Sequence, residues 1–178
     1  ADRSEAFCML NDQAIAAQWL LDNGKANKIL ILDLDVHQGN GTAAIFSNHE
    51  KVFTFSMHGK KNYPFRKEKS DWDIALADQT DDATYMKILA DSLDDLYQNV
   101  QPDFVFYLCG VDVIAQDKLG RLGLSVLGCK QRDEIVLQWC RQHALPVQCS
   151  MGGGYVTEIS VLVEAHANTF RLAQDIYF

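Results

Sequence analysis

Three prolines in 178 residues, no paired-cysteine motif, no long apolar run and too few basic residues to balance the acids together narrow the possibilities. With so little proline, and no tract rich in proline or serine, the chain offers no candidate linker. It also lacks internal repeats and low-complexity segments, so one domain over residues 1–178 is expected, long enough for a real core. The five cysteines, Cys8, Cys109, Cys129, Cys140 and Cys149, are odd in number and none stands in a C-x-x-C pair. That spacing argues against a disulfide framework and against a zinc knuckle. Cys109 and Cys149 lie inside apolar runs and read as buried free thiols. No apolar run approaches the ~20 residues needed to span a bilayer. The stretch Ala1–Glu5 has no apolar signal-peptide core, so a reducing cytoplasm is the expected setting. Lys and Arg number 16 against 24 Asp and Glu, a net charge of −8. Nucleic acid and anionic membrane both reward clustered cations and are disfavoured as partners. An acidic surface suits basic ligands such as lysine-rich peptides or polyamines.

What is present is an ordinary globular composition, 48% hydrophobic and 22% charged, organised as alternating strand-length apolar runs and helical patterns. Asn11 or Asp12 can cap a helix through Ala14, Ile15, Trp19 and Leu20 that stops at Gly24. Lys28–Leu34 is continuously apolar, as a strand buried on both faces is. Thr42 is a candidate cap for a short helix over Ala43–Phe46, and Lys51–Met57 reads as a second strand. The polar stretch His58–Thr80 is too long for an idle connection and reads as a binding loop. Asp81 and Asp82 open a helix whose apolar positions Met86, Leu89, Leu93, Leu96 and Val100 recur every three or four residues. Asp103–Cys109 is a third buried strand. An irregular segment to about Gly128, a helix around Ile135–Cys140, a fourth strand Pro146–Ser150, a glycine turn and a last helix complete the chain. The alternation predicts an α/β fold, a single three-layer domain with a mainly parallel sheet and helices on both faces. In such sheets ligands bind beyond the carboxyl ends of the strands.

Three of the four strand exits carry chemistry. The first reads Asp33-Leu34-Asp35-Val36-His37, then a Gly-Asn-Gly-Thr turn. In an extended chain Asp33, Asp35 and His37 would share a face, and two carboxylates with an imidazole suit a divalent cation. Without a following lysine at Walker spacing, Gly39–Thr42 is a poor phosphate loop, and a nucleotide-binding module is improbable. The third exit offers Asp112 behind Gly110. The fourth reads Gly152-Gly153-Gly154-Tyr155, where glycines allow close backbone approach to a ligand and the tyrosine stands at the rim. Among the histidines, His58 is expected on a loop rim, and His49, His143 and His166 on solvent-facing positions.

The string DLDVHQGNGT, the CGVD followed by Asp117-Lys118-Leu119-Gly120, the GGGY and the opening AFCMLNDQAIAA together resemble the histone deacetylase family. The Gln38-Gly39-Asn40 variant is most similar to its bacterial and class IV branch, and the motifs follow the family's order along essentially the whole chain. The resemblance implies an arginase/deacetylase-like fold and a zinc-dependent deacetylase acting on an acetylated lysine peptide or acetylated small amine. It implies zinc ligands Asp35, His37 and Asp112, with Fe²⁺ as a possible substitute. Catalytic roles fall to Tyr155, as oxyanion donor, and to Asp33, as the acid orienting an active-site histidine. Phe7, with Gly153 and Gly154, would line the substrate site, and Asp33, Asp35, His37 and Ser56 would supply a potassium site. An arginase-like second metal would need an acid where Ile114 stands. Two departures stand out. Ala6 occupies a usual glycine position, and the family's tandem general-base histidines would fall upstream of Ala1. The expectation is therefore a chain incomplete at its N-terminus, weak in hydrolysis and prone to oligomerise through an uncovered sheet edge. The competing expectation is a non-catalytic module that binds metal or acyl-lysine.

Overall fold

The computed structural model describes residues 4, 5 and 7–178. The departure at Ala6 lies outside the described residues, as does most of the Ala1–Glu5 opening. Five parallel strands form one sheet: β1 (Ile29–Asp33), β2 (Val52–Gly59), β3 (Trp72–Leu76), β4 (Phe104–Gly110) and β5 (Val147–Gly152). Their order is β3-β2-β1-β4-β5, with β1 central and every residue of it buried. Three helices connect strands, α2 (Asn40–Ile45) between β1 and β2, α3 (Asp82–Val100) between β3 and β4 and α4 (Val126–Gln142) between β4 and β5, while α1 (Asp12–Asp22) precedes β1 and α5 (Ile159–Tyr177) follows β5.

The pleat of β1 divides the core. Leu30 and Leu32 point into one cluster with Tyr85, Leu89 and Leu93 of α3, Val136 and Trp139 of α4, and Ala165 of α5. Ile29 and Ile31 point into the other, against Ala14 and Ala17 of α1, with Phe46 and Phe106. Helices on both faces explain why the strand is apolar at every position instead of every second one. The expected three-layer parallel α/β architecture is the one observed.

Side-chain capping sets several boundaries. Asn11 accepts from the Ala14 amide, Asp81 from Thr84 and Ser125 from Gly128, each satisfying an orphan N–H of a first helical turn. Three expectations fail locally. Thr42 lies inside α2, whose cap is Gly39. The helix around Ile135 begins earlier, at Val126, because Ser125 caps it. The stretch 58–80 is not all loop, since Trp72–Leu76 adds a fifth strand at the sheet edge with an alternating half-exposed pattern.

The histidines also differ from expectation. His58 is on β2 and 1% exposed, within 2.9 Å of the Ser56 hydroxyl. Strand β2 extends two residues past the apolar run and, with β3 beside it, carries His58 inside. His49, His143 and His166 are half-buried. His143 stacks on Tyr97 at 3.6 Å between ring centres.

A buried ion pair ties helix α4 to the sheet. Arg132 and Asp133 are both fully buried, and Arg132 Nε donates to Asp133 Oδ1 at 2.9 Å. Arg132 Nη1 donates to the carbonyls of Gly110 at 2.6 Å and Leu34 at 3.2 Å, bridging the exits of β4 and β1. Asp133 also accepts from the Tyr107 and Thr169 hydroxyls. Arg132 Nη2, 2.8 Å from Asp133 Oδ1, makes only an ion contact without hydrogen-bond geometry, while hydrogen bonds meet the rest of the pair, as ions in a core require. Removing one partner strands the other. Asp133→Ala should lose about 3–5 kcal/mol in urea denaturation, and a loss below about 1 kcal/mol would show that Arg132 is not desolvated.

A second prediction concerns pH. Burial holds the His58 imidazole below its ordinary titration range, so the folded chain keeps it neutral while the unfolded chain takes up a proton first. Stability should be full above about pH 6.5 and decline below it, by at most ~1.4 kcal/mol per pH unit, levelling once folded His58 also titrates. The difference between the parent and His58→Gln, followed by urea midpoints from pH 7.5 to 5, isolates this group. A pH-independent difference would refute it.

Candidate metal centre

The exits of β1 and β4 lie side by side, since Asp33 pairs with Leu108 and Leu34 N–H continues the ladder to Leu108 O. Beyond Asp33 the chain leaves the strand in a bend over residues 35–37. The expected alternation of Asp33, Asp35 and His37 on one extended face therefore does not hold. The bend is fixed by side chains: Asp33 Oδ1 accepts from the Asp35 amide at 3.0 Å and Asp35 Oδ1 from the His37 amide at 2.9 Å. From the neighbouring exit, Asp112 Oδ1 accepts from Val36 N–H at 3.0 Å.

These bonds bring Asp35, His37 and Asp112 into one cluster, with one ligand atom from each within 4.8 Å of the others. His37 Nδ1 is 3.0 Å from Asp35 Oδ1 and 3.2 Å from Asp112 Oδ2. Asp35 and Asp112 are buried, and His37 is half-buried. Two glycines make room. A Cβ on Gly110 would collide with the Asp35 carboxylate and Cα, and one on Gly153, at φ +66°, with the Asp112 carboxyl group. Gly154, at φ +109°, completes a turn that an L side chain would strain.

The electrostatics call for positive charge. Burial, then repulsion from Asp35, raises the Asp112 carboxyl to about 6. Burial and Asp35 likewise push Asp33 well above the carboxylate range. Desolvation works against the His37 imidazolium, but the hydrogen bonds it donates to Asp112 and Asp35 outweigh it and raise the group to about 10. A proton on Nδ1 thus sits between two carboxylates, where a divalent cation would satisfy the same charges. Two carboxylate oxygens and an imidazole nitrogen fit zinc, iron or cobalt, and leave coordination positions open.

Tyr155 stands at the rim, 46% exposed, its ring 5.8 Å from that of Phe7, which is itself 86% exposed. Buried Asp117 fixes its backbone: one carboxylate oxygen accepts from Tyr155 N–H, the other from Leu119 and Gly120 N–H. Asp33 approaches Gly39 so closely that a Cβ there would overlap its carboxylate. Ser56 is the cross-strand partner of Asp33 on β2, and its hydroxyl bonds His58.

Sequence reasoning gave no role in the site to four residues that shape this region. Arg132 links the carbonyls one and two residues before Asp35 and Asp112, Asp117 holds the Tyr155 backbone, Gln38 ties the site to the loop ahead of β3, and His166 lies against the Gly153 backbone, where burial lowers its titration range. The Asp117 clamp had a signal in its short distance from the Asp112 motif. Arg132 had none, because a charged residue on a helix ordinarily faces water.

Comparison with known proteins gives a consistent result. The model of the histone deacetylase domain matches residues 1–170. An uncharacterized protein of Picosynechococcus sp. is 47% identical over 171 residues, covering 96% of this chain and 57% of that protein. Histone deacetylase 2 of Arabidopsis thaliana is 29% identical over 175 residues, covering 96% of this chain and 45% of its own length. The crystal structure of acetylpolyamine aminohydrolase from Burkholderia pseudomallei superposes with a TM-score of 0.80 at 24% identity, over 95% of this chain and 51% of that one. The chain spans about half the length of the relatives it matches. It belongs to the histone deacetylase family.

Proposed function

We propose that this chain carries the metal-binding half of a zinc-dependent deacetylase that hydrolyses the amide of an acetylated lysine or a related acetylated amine. The observation that carries this reading is the convergence of Asp35, His37 and Asp112, from two chain segments, at one buried point between strand exits. In this reading those three side chains hold the ion through two carboxylate oxygens and the imidazole nitrogen. A bound zinc would polarise the acetyl carbonyl and lower the pKa of a bound water. Tyr155, at the rim and held through its backbone by Asp117, donates its hydroxyl to the oxygen that becomes negative, as oxyanion donors do. Gly153 and Gly154 keep the floor beside Asp112 free of side chains. Phe7 supplies apolar surface against the methylenes of the acyl-lysine stem, at ~0.8 kcal/mol per buried CH₂. Asp33, buried beside the Asp35 amide, orients an active-site histidine in this reading. With Asp35, His37 and Ser56 it forms the proposed potassium site, supported by the cross-strand pairing of Asp33 with Ser56.

Free thiols at all five cysteines and the absence, among the described residues, of a helix long and apolar enough to cross a membrane fit the proposed cytoplasmic setting. A metal- or acyl-lysine-binding module of the same fold is the second reading, since the same three ligands would serve binding without hydrolysis.

Elemental analysis after dialysis against zinc tests the site. The parent should hold about one zinc per chain, and Asp35→Ala, His37→Ala and Asp112→Ala should each hold less than a tenth of that. Tyr155→Phe should keep the metal. Zinc retained by all three ligand variants contradicts the reading. For activity, the zinc-loaded protein should deacetylate an acetyl-lysine peptide, and Tyr155→Phe should slow it about 10²–10³-fold. A metal-loaded, inert protein would instead favour the binding module.

A further inference from the structure

Five of the chain's 16 Lys and Arg fall within ten residues, Lys60-Lys61-Asn-Tyr-Pro-Phe-Arg66-Lys67-Glu68-Lys69, beside one of its 24 acids. Elsewhere acids predominate, so this segment opposes the sign of the whole molecule. It is also attached to the metal centre. Gln38, next to His37, donates to the Glu68 carbonyl and accepts from the Glu68 amide, both at 2.9 Å. Asn62 donates to the carbonyl of Leu119 at 2.8 Å, beside exposed Lys118, whose amide donates to the Tyr155 carbonyl. Tyr63 donates to Glu5, two residues from the Phe7 ring that meets Tyr155. The basic segment therefore borders the mouth through which a substrate would reach Tyr155.

Local acids do not neutralise it. Asp78 is shared by Arg121 at 2.6 Å and Lys61 at 3.5 Å. Asp71 is taken by the Thr54 amide and hydroxyl, and Asp73 by Gln38 and the Ser70 amide. Lys67 is turned inward, donating to the Asn62 and Pro64 carbonyls of its own loop. That leaves Lys60, Arg66, Lys69 and Lys118, all exposed and without an ion-pair partner among the described residues.

We infer that the site selects an acetylated amine borne on an acidic peptide segment, and discriminates against cationic carriers such as polyamines or lysine-rich tails. Charges around a mouth act through the approach and register of the ligand, and salt screens them. Each exposed pairing is worth about two- to fivefold in affinity, so three or four together give at least about tenfold. The inference rests on the acyl-lysine reading of the metal centre.

The test is fluorescence anisotropy on the zinc-loaded chain with three labelled peptides. These are acetyl-lysine flanked by glutamates, acetyl-lysine flanked by arginines, and the unacetylated glutamate peptide. At low salt the acetylated glutamate peptide should bind at least about tenfold tighter than either of the others, with the gap over the arginine peptide closing towards 0.5 M NaCl. The triple variant Lys60→Glu, Arg66→Glu, Lys69→Glu should reverse the charge preference while keeping its zinc. The salt series on the parent chain stands on its own should that variant fail to fold. Equal binding of the two acetylated peptides, tighter binding of the arginine one, or binding of neither by a zinc-loaded chain overturns the inference. Indifference to the acetyl group reduces the loop to a general anion surface and overturns it too. Failure to take up zinc overturns the underlying reading instead.

Discussion

Three buried or nearly buried carboxylates, Asp33, Asp35 and Asp112, crowd the edge of one sheet with a single imidazole between two of them. Charges so arranged repel, and burial makes Asp33 and Asp112 harder to ionise. Much of the surrounding structure serves to hold them together nonetheless. Backbone amides of Asp35, Val36 and His37 each donate to a carboxylate oxygen, and glycine at 110 and 153 removes the Cβ atoms that would displace them. A geometry this tightly determined, in a place this unfavourable for anions, is what a cation-binding site requires before its ion arrives.

Behind the cluster the fold provides the rigidity. The fully buried β1 is flanked by β2 and β4, and Arg132 spans the β1 and β4 exits from within α4. The cation of Arg132 is balanced by Asp133, itself satisfied by Tyr107 and Thr169. The polar core beneath the candidate metal centre is thus a connected network, in which a hydrogen bond from α5 also takes part.

Much of this was legible in the residues. Continuous apolar runs marked β1 and β4 as doubly covered, and the D-x-D-x-H and C-G-V-D strings drew attention to the side chains that meet. Their meeting point was legible from topology, but the bend at 35–37 was not, because side-chain-to-amide bonds break the extended pattern. Strand β3 escaped notice since Trp72–Leu76 is an edge strand, half-exposed and interrupted by Asp73, with no apolar run to announce it. His58 was misjudged for the same reason, as the strand beside it was not foreseen. Arg132 and Asp133 carried no signal, because charged residues on a helix ordinarily face water. Net charge describes a different scale, since −8 belongs to the whole chain while the segment bordering the site is basic.

The central claim is that Asp35, His37 and Asp112 bind one ion through oxygen and nitrogen. X-ray absorption at the zinc edge of the loaded chain reads the donor atoms directly. The account predicts one imidazole nitrogen and otherwise oxygen neighbours at ~2.0–2.2 Å, with no sulfur. A sulfur shell at ~2.3 Å would move the ion to the cysteines and contradict it.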